Sequence, residues 1–346
     1  MEALLNIGVV GASGAVGQEI IKLLDKRNIP IGTLKCFGSS RSQGTFVPFQ
    51  GRQIPIELLS PSAFDHLDVV FFSAGSQTSK DYVNIARKKN VLVIDNSSAF
   101  RQDPNVPLVI PEVNPEAIQK HDLLIANPNC AVILLLTVLF PLHSIAKLKR
   151  LVISTYQAAS GAGLHAMQEL EAGTLAFLEN RPYQNKVIPH PYAFNLFLHN
   201  SPIGPNLYSQ EEFKIIEETK KILKDESLRI SVTCVRVPVL RAHAESVNAE
   251  FHSPISCQEA YKVLMKAPGV QISDDFEGNR FAMPIDAAGQ NAVFCSRIRE
   301  DLSQPNALDL WIVGDQLLKG AALNAVQILE VVKKIKTDLE PTLASL

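Results

Sequence analysis

The chain has 346 residues, of which 46% are hydrophobic, and a formal charge of −2. That is enough for two domains with real cores, and it lacks the basic excess of a nucleic-acid binder. The five cysteines, Cys36, Cys130, Cys234, Cys257 and Cys295, are widely spaced and form no CxxC pair, so neither a disulfide framework nor a metal site is expected. The longest apolar run, Ala131 to Phe140, contains Thr137 and is closed by Pro141, well short of the ~20 residues that cross a bilayer. Met1-Glu2 lead into a strand within a few residues, which leaves no room for a signal peptide and makes the cytoplasm the expected location.

Leu4 to Val10 reads as a strand. It runs into Gly11-Ala12-Ser13-Gly14-Ala15-Val16-Gly17 and then into Ile20, Ile21, Leu23 and Leu24 at helical spacing. Strand, glycine turn and helix in that order predict a dinucleotide site, with glycines letting the backbone approach a pyrophosphate at a helix N-terminus. The spacing is GxxGxxG rather than GxGxxG, so context carries the reading. A second strand, Leu34 to Phe37, ends in Gly38-Ser39-Ser40-Arg41-Ser42. Hydroxyls and an arginine suit a ribose 2′-phosphate better than a free 2′-OH, which favours NADP over NAD.

Val69 to Ser73, a helix from about Ser79 to Lys89, and Val91 to Asp95 continue the alternation, with small polar loops at Ala74-Gly75-Ser76 and Asn96-Ser97-Ser98. Alternating strands and helices to about residue 130 predict a Rossmann-type, doubly wound α/β domain. Leu123 to Ala126 is a short strand that turns through Asn127-Pro128-Asn129 into Cys130 and the apolar helix. Cys130 therefore falls in a first helical turn, where N–H groups and the helix dipole favour a thiolate.

From Leu151 the pattern changes. A strand at Val152 to Thr155 leads into Tyr156-Gln157-Ala158-Ala159-Ser160-Gly161-Ala162-Gly163 and a helix from Leu164 to Leu178. A Pro- and Asn-rich excursion from about Asn180 to Asn206 is expected to be ordered, with Tyr192, Phe194, Leu196 and Phe197 as its apolar anchors. Ser209 to Leu223 is a helix with a Ser209/Glu212 capping box. Leu228 to Val237, Val247 to Phe251, Ala292 to Ile298 and Leu308 to Val313 alternate with period two, the pattern of an antiparallel or mixed sheet. A stripe from Leu318 to Ile335 predicts a terminal helix on the first domain. The expected division is a first domain of residues 1–130, completed by helix 318–340, and a catalytic α+β domain of residues 131–317.

The segments GASGAVG, SSRS, DNSSAFR, ANPNC, STYQAASGAG, EEFK, TCVRVPVLRAHAESVN and GDQLLKGAALNAVQI, in this order and spacing, resemble the aspartate-β-semialdehyde dehydrogenase family from end to end. The VLRAHAES and YAFNLF versions look closer to its Gram-positive and plant-like branch than to the enterobacterial one. The resemblance implies NADPH-dependent reduction of L-aspartyl-4-phosphate to L-aspartate 4-semialdehyde and phosphate, on the route to lysine, threonine and methionine. It also implies a homodimer or homotetramer.

Carried over by motif, Cys130 matches the nucleophile, His243 the acid/base and Gln157 the residue that orients the acyl intermediate. Arg236 matches the holder of the substrate carboxylate, Glu211 the group facing its ammonium, and Arg101, Asn129 and Lys214 the phosphate-binding set. Gly11, Ser13, Gly14, Ala15, Val16, Ser39, Ser40, Arg41, Ser73, Asn96, Ser160, Gly161 and Gln316 match the cofactor-binding positions. Two positions depart from the family: Ala131 where serine is common, and Ser76 at the end of a loop that commonly reads SAGG.

Two rival readings remain open. N-acetyl-γ-glutamyl-phosphate reductase runs the same chemistry on a blocked amine, against which Glu211 argues, since a free ammonium needs a counter-charge. A catalytically silent NADP-binding paralogue would be expected to lose Cys130 or His243, and both are present.

Overall fold

The computed structural model describes residues 4–204 and 206–337, so Met1-Glu2, Pro205 of the excursion and residues 338–340 of the expected terminal helix lie outside it. The chain divides into two compact units, residues 1–128 with 321–346, and residues 129–320.

The first unit contains β1 (Leu5–Val10), α1 (Ala15–Lys26), β2 (Ile31–Gly38), β3 (Phe46–Phe49), β4 (Arg52–Leu58), β5 (Val69–Phe72), α2 (Ser76–Lys88), β6 (Leu92–Asp95) and β7 (Leu124–Ala126). Its sheet has the order β3-β4-β2-β1-β5-β6-β7. All pairs are parallel except β3 with β4. Strands β5 and β6 are buried along their whole length, as a sheet covered on both faces requires.

Chain order reverses at β1, which pairs with β2 on one side and β5 on the other. Ligands of open α/β sheets bind at that switch point. Gly11, at φ 85°, has to be glycine there, because a Cβ would lie 2.6 Å from the Ser73 carbonyl oxygen at the end of β5.

The β3–β4 hairpin is absent from the sequence expectations. Pro48 and Pro55 disguise it, and β3 tolerates its proline because it is an edge strand. The legible signal is Gln50-Gly51, which adopts φ 47° and 72° as a two-residue hairpin turn demands.

The second unit begins with α3 (Cys130–Ala146), β8 (Leu148–Gln157), α4 (Leu164–Leu178), β9 (Phe197–Leu198) and α5 (Gln210–Leu223). It continues with β10 (Arg229–Arg236), β11 (His243–Phe251), α6 (Cys257–Leu264), β12 (Val270–Ile272), β13 (Asp274–Asp275), β14 (Arg280–Phe281), α7 (Pro284–Ala287), β15 (Val293–Glu300) and β16 (Ala307–Gly314). The sheet order is β12-β15-β16-β11-β8-β10-β9, and the sheet is mixed: β10 with β8 and β12 with β15 are parallel, the other pairs antiparallel. The β13–β14 pair stands apart from it.

Three expectations are corrected here. Pro141 does not close α3, which continues to Ala146. Removing one helical hydrogen bond costs about 3 kcal/mol, less than the helix gains from burying Val132 to Leu139 on every side and Leu142 beyond the proline. Strand β11 starts at His243 rather than Val247, the buried Glu245 having broken the apolar alternation. In the excursion, Tyr192 is buried against Ala159, Leu170 and Ile188, with Phe197 packed on that cluster, whereas Phe194 and Leu196 are exposed. The Ser209/Glu212 capping box is present at α5.

The terminal helix α8 (Leu323–Thr337) follows a π-type turn at Leu318–Ala322 and packs on α1 and β6 of the first unit. Asn324 ties it down there, donating 2.9 Å to the Val109 carbonyl and 2.7 Å to Asn127 Oδ1. Among the described residues no helix is long and apolar enough to cross a membrane.

Candidate active site

Cys130 is the first residue of α3 and is partly exposed. Asn129 caps the helix: its Oδ1 accepts from the Ala131 N–H at 2.9 Å and its Nδ2 donates to Glu211 Oε1 at 2.8 Å. The Asn129 N–H donates to Glu218 at 2.6 Å. Helix α5 thus presents Glu211, Lys214 and Glu218 on one face, three and four residues apart.

Glu211 is the hub of this cluster. Gln157 donates to its Oε1 at 3.3 Å and Lys214 to its Oε2 at 3.2 Å. Burial pushes its carboxyl up, but Lys214, His199 and the Asn129 hydrogen bond outweigh that and hold it at about 2. An ionised carboxylate is kept in a buried place, so the i,i+3 pair with Lys214 is not a solvated surface pair.

Register brings the rest together. In the parallel pairing of β10 with β8, Arg236 stands opposite Gln157, and in the antiparallel pairing of β11 with β8, Ala244 stands opposite Tyr156. Ala158, just past β8, then serves two partners. Its carbonyl accepts from Arg236 Nη1 at 3.0 Å, and its N–H donates to His243 Nδ1 at 3.0 Å.

His243 is fully buried, and Nε2 has no hydrogen-bond partner. With Nδ1 accepting, the neutral ring carries its proton on Nε2. Burial and then the nearby Arg236 charge depress the imidazole to about 3, so the ring is neutral at physiological pH. Gly161 leaves the space beside both groups: a Cβ there would lie 3.0 Å from Arg236 Nη1 and 3.0 Å from His243 Nε2. Ala242, directly before His243, sits at φ 75° and donates to Gln316 Oε1 at 2.9 Å, while Gln316 Nε2 donates to the Ser160 hydroxyl. Both ends of the Gln316 amide are therefore engaged within the unit.

Sequence reasoning missed Glu218, Ala158, His199 and Glu245. Glu218 was readable, lying seven residues after Glu211 on a predicted helix. The others had no local signal. Glu245, two residues after His243 on the same strand face, is 1% exposed, and neither carboxyl oxygen has a hydrogen-bond partner. Burial raises its carboxyl well above the usual range, so the folded state holds it protonated. Its contribution to stability is complete below the unfolded value near 4.5 and is lost as pH rises, by about 1.4 kcal/mol per pH unit, until the folded-state value is reached. Glu245→Gln removes that linkage. Its melting temperature is expected to exceed the wild type's at pH 8 and to converge with it near pH 5; a pH-independent difference would refute the protonated assignment.

In the first unit, Gly11, Ser13 and Gly14 lie in the loop after β1, with Ala15 and Val16 opening α1, and the loops after β2, β5 and β6 hold Ser39, Ser40 and Arg41; Ser73; and Asn96. Gly14 is the N-cap of α1 and gives its first turn no side-chain partner. The Asn96 Oδ1 is buried without a hydrogen bond, and Arg41 is exposed. An uncapped helix start, an orphaned amide oxygen and an exposed arginine, each just past the carboxyl end of a parallel strand, fit a phosphate-bearing dinucleotide. Arg101 also belongs to this unit, where its Nη2 donates to the Asn96 carbonyl at 2.8 Å. Among the described residues no His/Cys/Asp/Glu group of metal-binding size occurs.

Residues 6–121 match the family model for the semialdehyde dehydrogenase NAD-binding domain, and residues 139–319 that for the semialdehyde dehydrogenase dimerisation domain. An aspartate-semialdehyde dehydrogenase from Synechocystis sp. is 50% identical over 331 residues, covering 96% of this chain and 98% of its own. One from Bacillus subtilis is 42% identical over 339 residues, covering 96% and 98%. The crystal structure of aspartate semialdehyde dehydrogenase II from Vibrio cholerae complexed with ASA aligns with a TM-score of 0.93 at 35% identity, over 96% of this chain and 99% of that one. An NAD-binding unit and a dimerisation unit, matched along nearly the whole chain by relatives of one name, place this oxidoreductase: the chain belongs to the aspartate-semialdehyde dehydrogenase family.

Proposed function

We propose that the chain reduces L-aspartyl-4-phosphate to L-aspartate 4-semialdehyde and phosphate through a Cys130 thioester, with NADPH as the reductant, in lysine, threonine and methionine biosynthesis. The observation that carries the substrate assignment is the pair of opposite buried charges in the second unit, Arg236 at the end of β10 and Glu211 on α5. Arg236 is 5% exposed, and the hydrogen bonds of its guanidinium go to a carbonyl and an imidazole, with Nε unpartnered. A buried cation with only neutral partners awaits an anion, and its planar fork suits a carboxylate. Glu211, held ionised, answers a free ammonium.

The Cys130 thiolate attacks the acyl phosphate carbonyl, and the C–O bond to phosphate breaks with its electron pair leaving on the phosphate. Asn129 and Lys214 receive that group, and Gln157 orients the acyl carbon. Bound NADPH supplies the hydride that reduces the thioester carbonyl. His243 Nε2–H would donate a hydrogen bond to the resulting hemithioacetal oxyanion, whose collapse to the aldehyde carbonyl breaks the C–S bond and returns the Cys130 thiolate. Ser39, Ser40 and Arg41 would hold the 2′-phosphate, and Ser13 to Val16, Ser73 and Asn96 the rest of the dinucleotide in the first unit.

The same reading makes the enzyme a cytoplasmic homodimer, or a tetramer built from such dimers, of the Gram-positive and plant-like branch. It is tested by phosphate-dependent reduction of NADP with L-aspartate 4-semialdehyde, run beside N-acetyl-glutamate semialdehyde. Turnover of the first substrate is expected. Turnover of the second alone would transfer the chain to the reductase reading, and NADPH binding without turnover of either would make it a silent paralogue.

A further inference from the structure

We propose that His199 is a positioning residue for Arg236, holding the guanidinium fork in the attitude that receives the substrate's α-carboxylate. The inference rests on the reading of Arg236 given above and extends it to a residue that none of the motifs includes.

His199 directly follows β9, which lies in the Pro- and Asn-rich excursion, and its place is set by backbone. Phe197 and Leu198 pair with Arg236 and Val235 of β10, and the His199 N–H donates to the Cys234 carbonyl at 2.8 Å. The side chain is half-buried, and Nε2 lies 2.8 Å from Arg236 Nη2. A guanidinium has no acceptor, so Nε2 must be the bare nitrogen. The other ring nitrogen, Nδ1, faces a second donor, the Ser201 N–H at 3.2 Å.

A neutral imidazole accepts at one nitrogen only, and an imidazolium at neither. The two contacts compete, and the shorter, charge-assisted one prevails, placing the ring proton on Nδ1. Arg236 thus has a neutral acceptor on Nη2 and the Ala158 carbonyl on Nη1, two supports that orient the fork without neutralising it. A carboxylate in place of His199 would cancel the charge the substrate needs, and a cation would repel it.

The charged and titratable groups facing His199 are Arg236 on β10, Glu211, Glu212 and Lys214 on α5, and His243 on β11. Burial, and then the Arg236 charge, keep the His199 ring neutral down to about 4, so the support persists through the physiological range.

The test is the separate measurement of kcat and of KM for semialdehyde, phosphate and NADP in His199→Ala, His199→Gln and Arg236→Lys, with melting temperatures to confirm folding. His199→Ala is expected to raise KM for the semialdehyde about ten- to a hundredfold while leaving kcat and the other two KM values within about threefold. His199→Gln, whose amide oxygen can accept from Nη2, is expected to recover most of that loss. An unchanged semialdehyde KM in His199→Ala, or a glutamine variant no better than alanine, would overturn the proposal.

If the alanine variant does not fold, the pH dependence of wild type against His199→Gln decides. The wild-type KM should climb below about pH 5 as the ring protonates, and the glutamine variant should lack that climb; identical profiles refute the proposal. Arg236→Lys with an unchanged KM would instead remove the carboxylate reading of Arg236 itself. A raised KM in Arg236→Lys beside an unaffected His199→Ala would remove only the inference about His199.

Discussion

Cys130→Ser is expected to lower kcat by about 10⁴-fold or more while NADPH binds as in the wild type. The two readouts separate because the substitution leaves the proposed dinucleotide-binding loops of the first unit unchanged. A hydroxyl at this position is a far weaker nucleophile than a thiol at neutral pH, and an oxygen ester formed there would accept hydride less readily than a thioester. The substitution exchanges one small side chain for another at a partly exposed site, so the fold should hold. Asn129 already takes the Ala131 N–H, so that donor is committed to the cap rather than to a developing oxyanion, whichever side chain residue 131 carries. Turnover of Cys130→Ser within tenfold of wild type would rule out covalent catalysis at this residue.

His243→Ala is expected to cost about 10²–10⁴ in kcat, the range for losing a positioned proton donor. The geometry refines which function is lost. Because Ala158 donates to Nδ1, the neutral ring presents Nε2–H, ready to donate toward an oxygen and unable to accept a proton from the Cys130 thiol. Taking that proton would require a second N–H at Nδ1, directed at the Ala158 N–H. In this arrangement His243 acts first as a hydrogen-bond donor to the hemithioacetal oxygen, and the base role implied by the resemblance calls for a change of tautomer.

His243→Gln, which donates but cannot shuttle a proton, should then retain more activity than His243→Ala. The pH profile gives a second check. With the folded-state ring depressed to about 3 by burial and Arg236, the free enzyme should show no His243 titration in kcat/KM between pH 5 and 8. A limb near 6.5 that disappears in His243→Gln would contradict this, and equal activity of the glutamine and alanine variants would return the residue to proton transfer.

Much of this was legible along the chain. The Gly11 turn after an apolar strand, Asn129 before a first-turn Cys130 and the Ser209/Glu212 capping box are local signals, decided by φ, by helix-end hydrogen bonding and by periodicity within a few residues. Glu211 and Lys214 could be put on one face because a helix has a known pitch. Local signals failed where burial overrode type: the helix passes through Pro141, and β11 includes Glu245 near its start.

What the sequence determined by itself is therefore the class of each unit and the inventory of reactive side chains, since glycine turns, caps and apolar periods act over one or two turns of chain. The tertiary structure alone decided the state of those side chains. Ala158 reaches Arg236 and His243 across 78 and 85 residues, and Glu211 meets Asn129 across 82. Strand register and helix packing set those meetings, and through them the ionised state of Glu211, the tautomer of His243 and the lean of Arg236 on His199. Charge and protonation depend on which groups share a low-dielectric space, and only the folded chain defines that space.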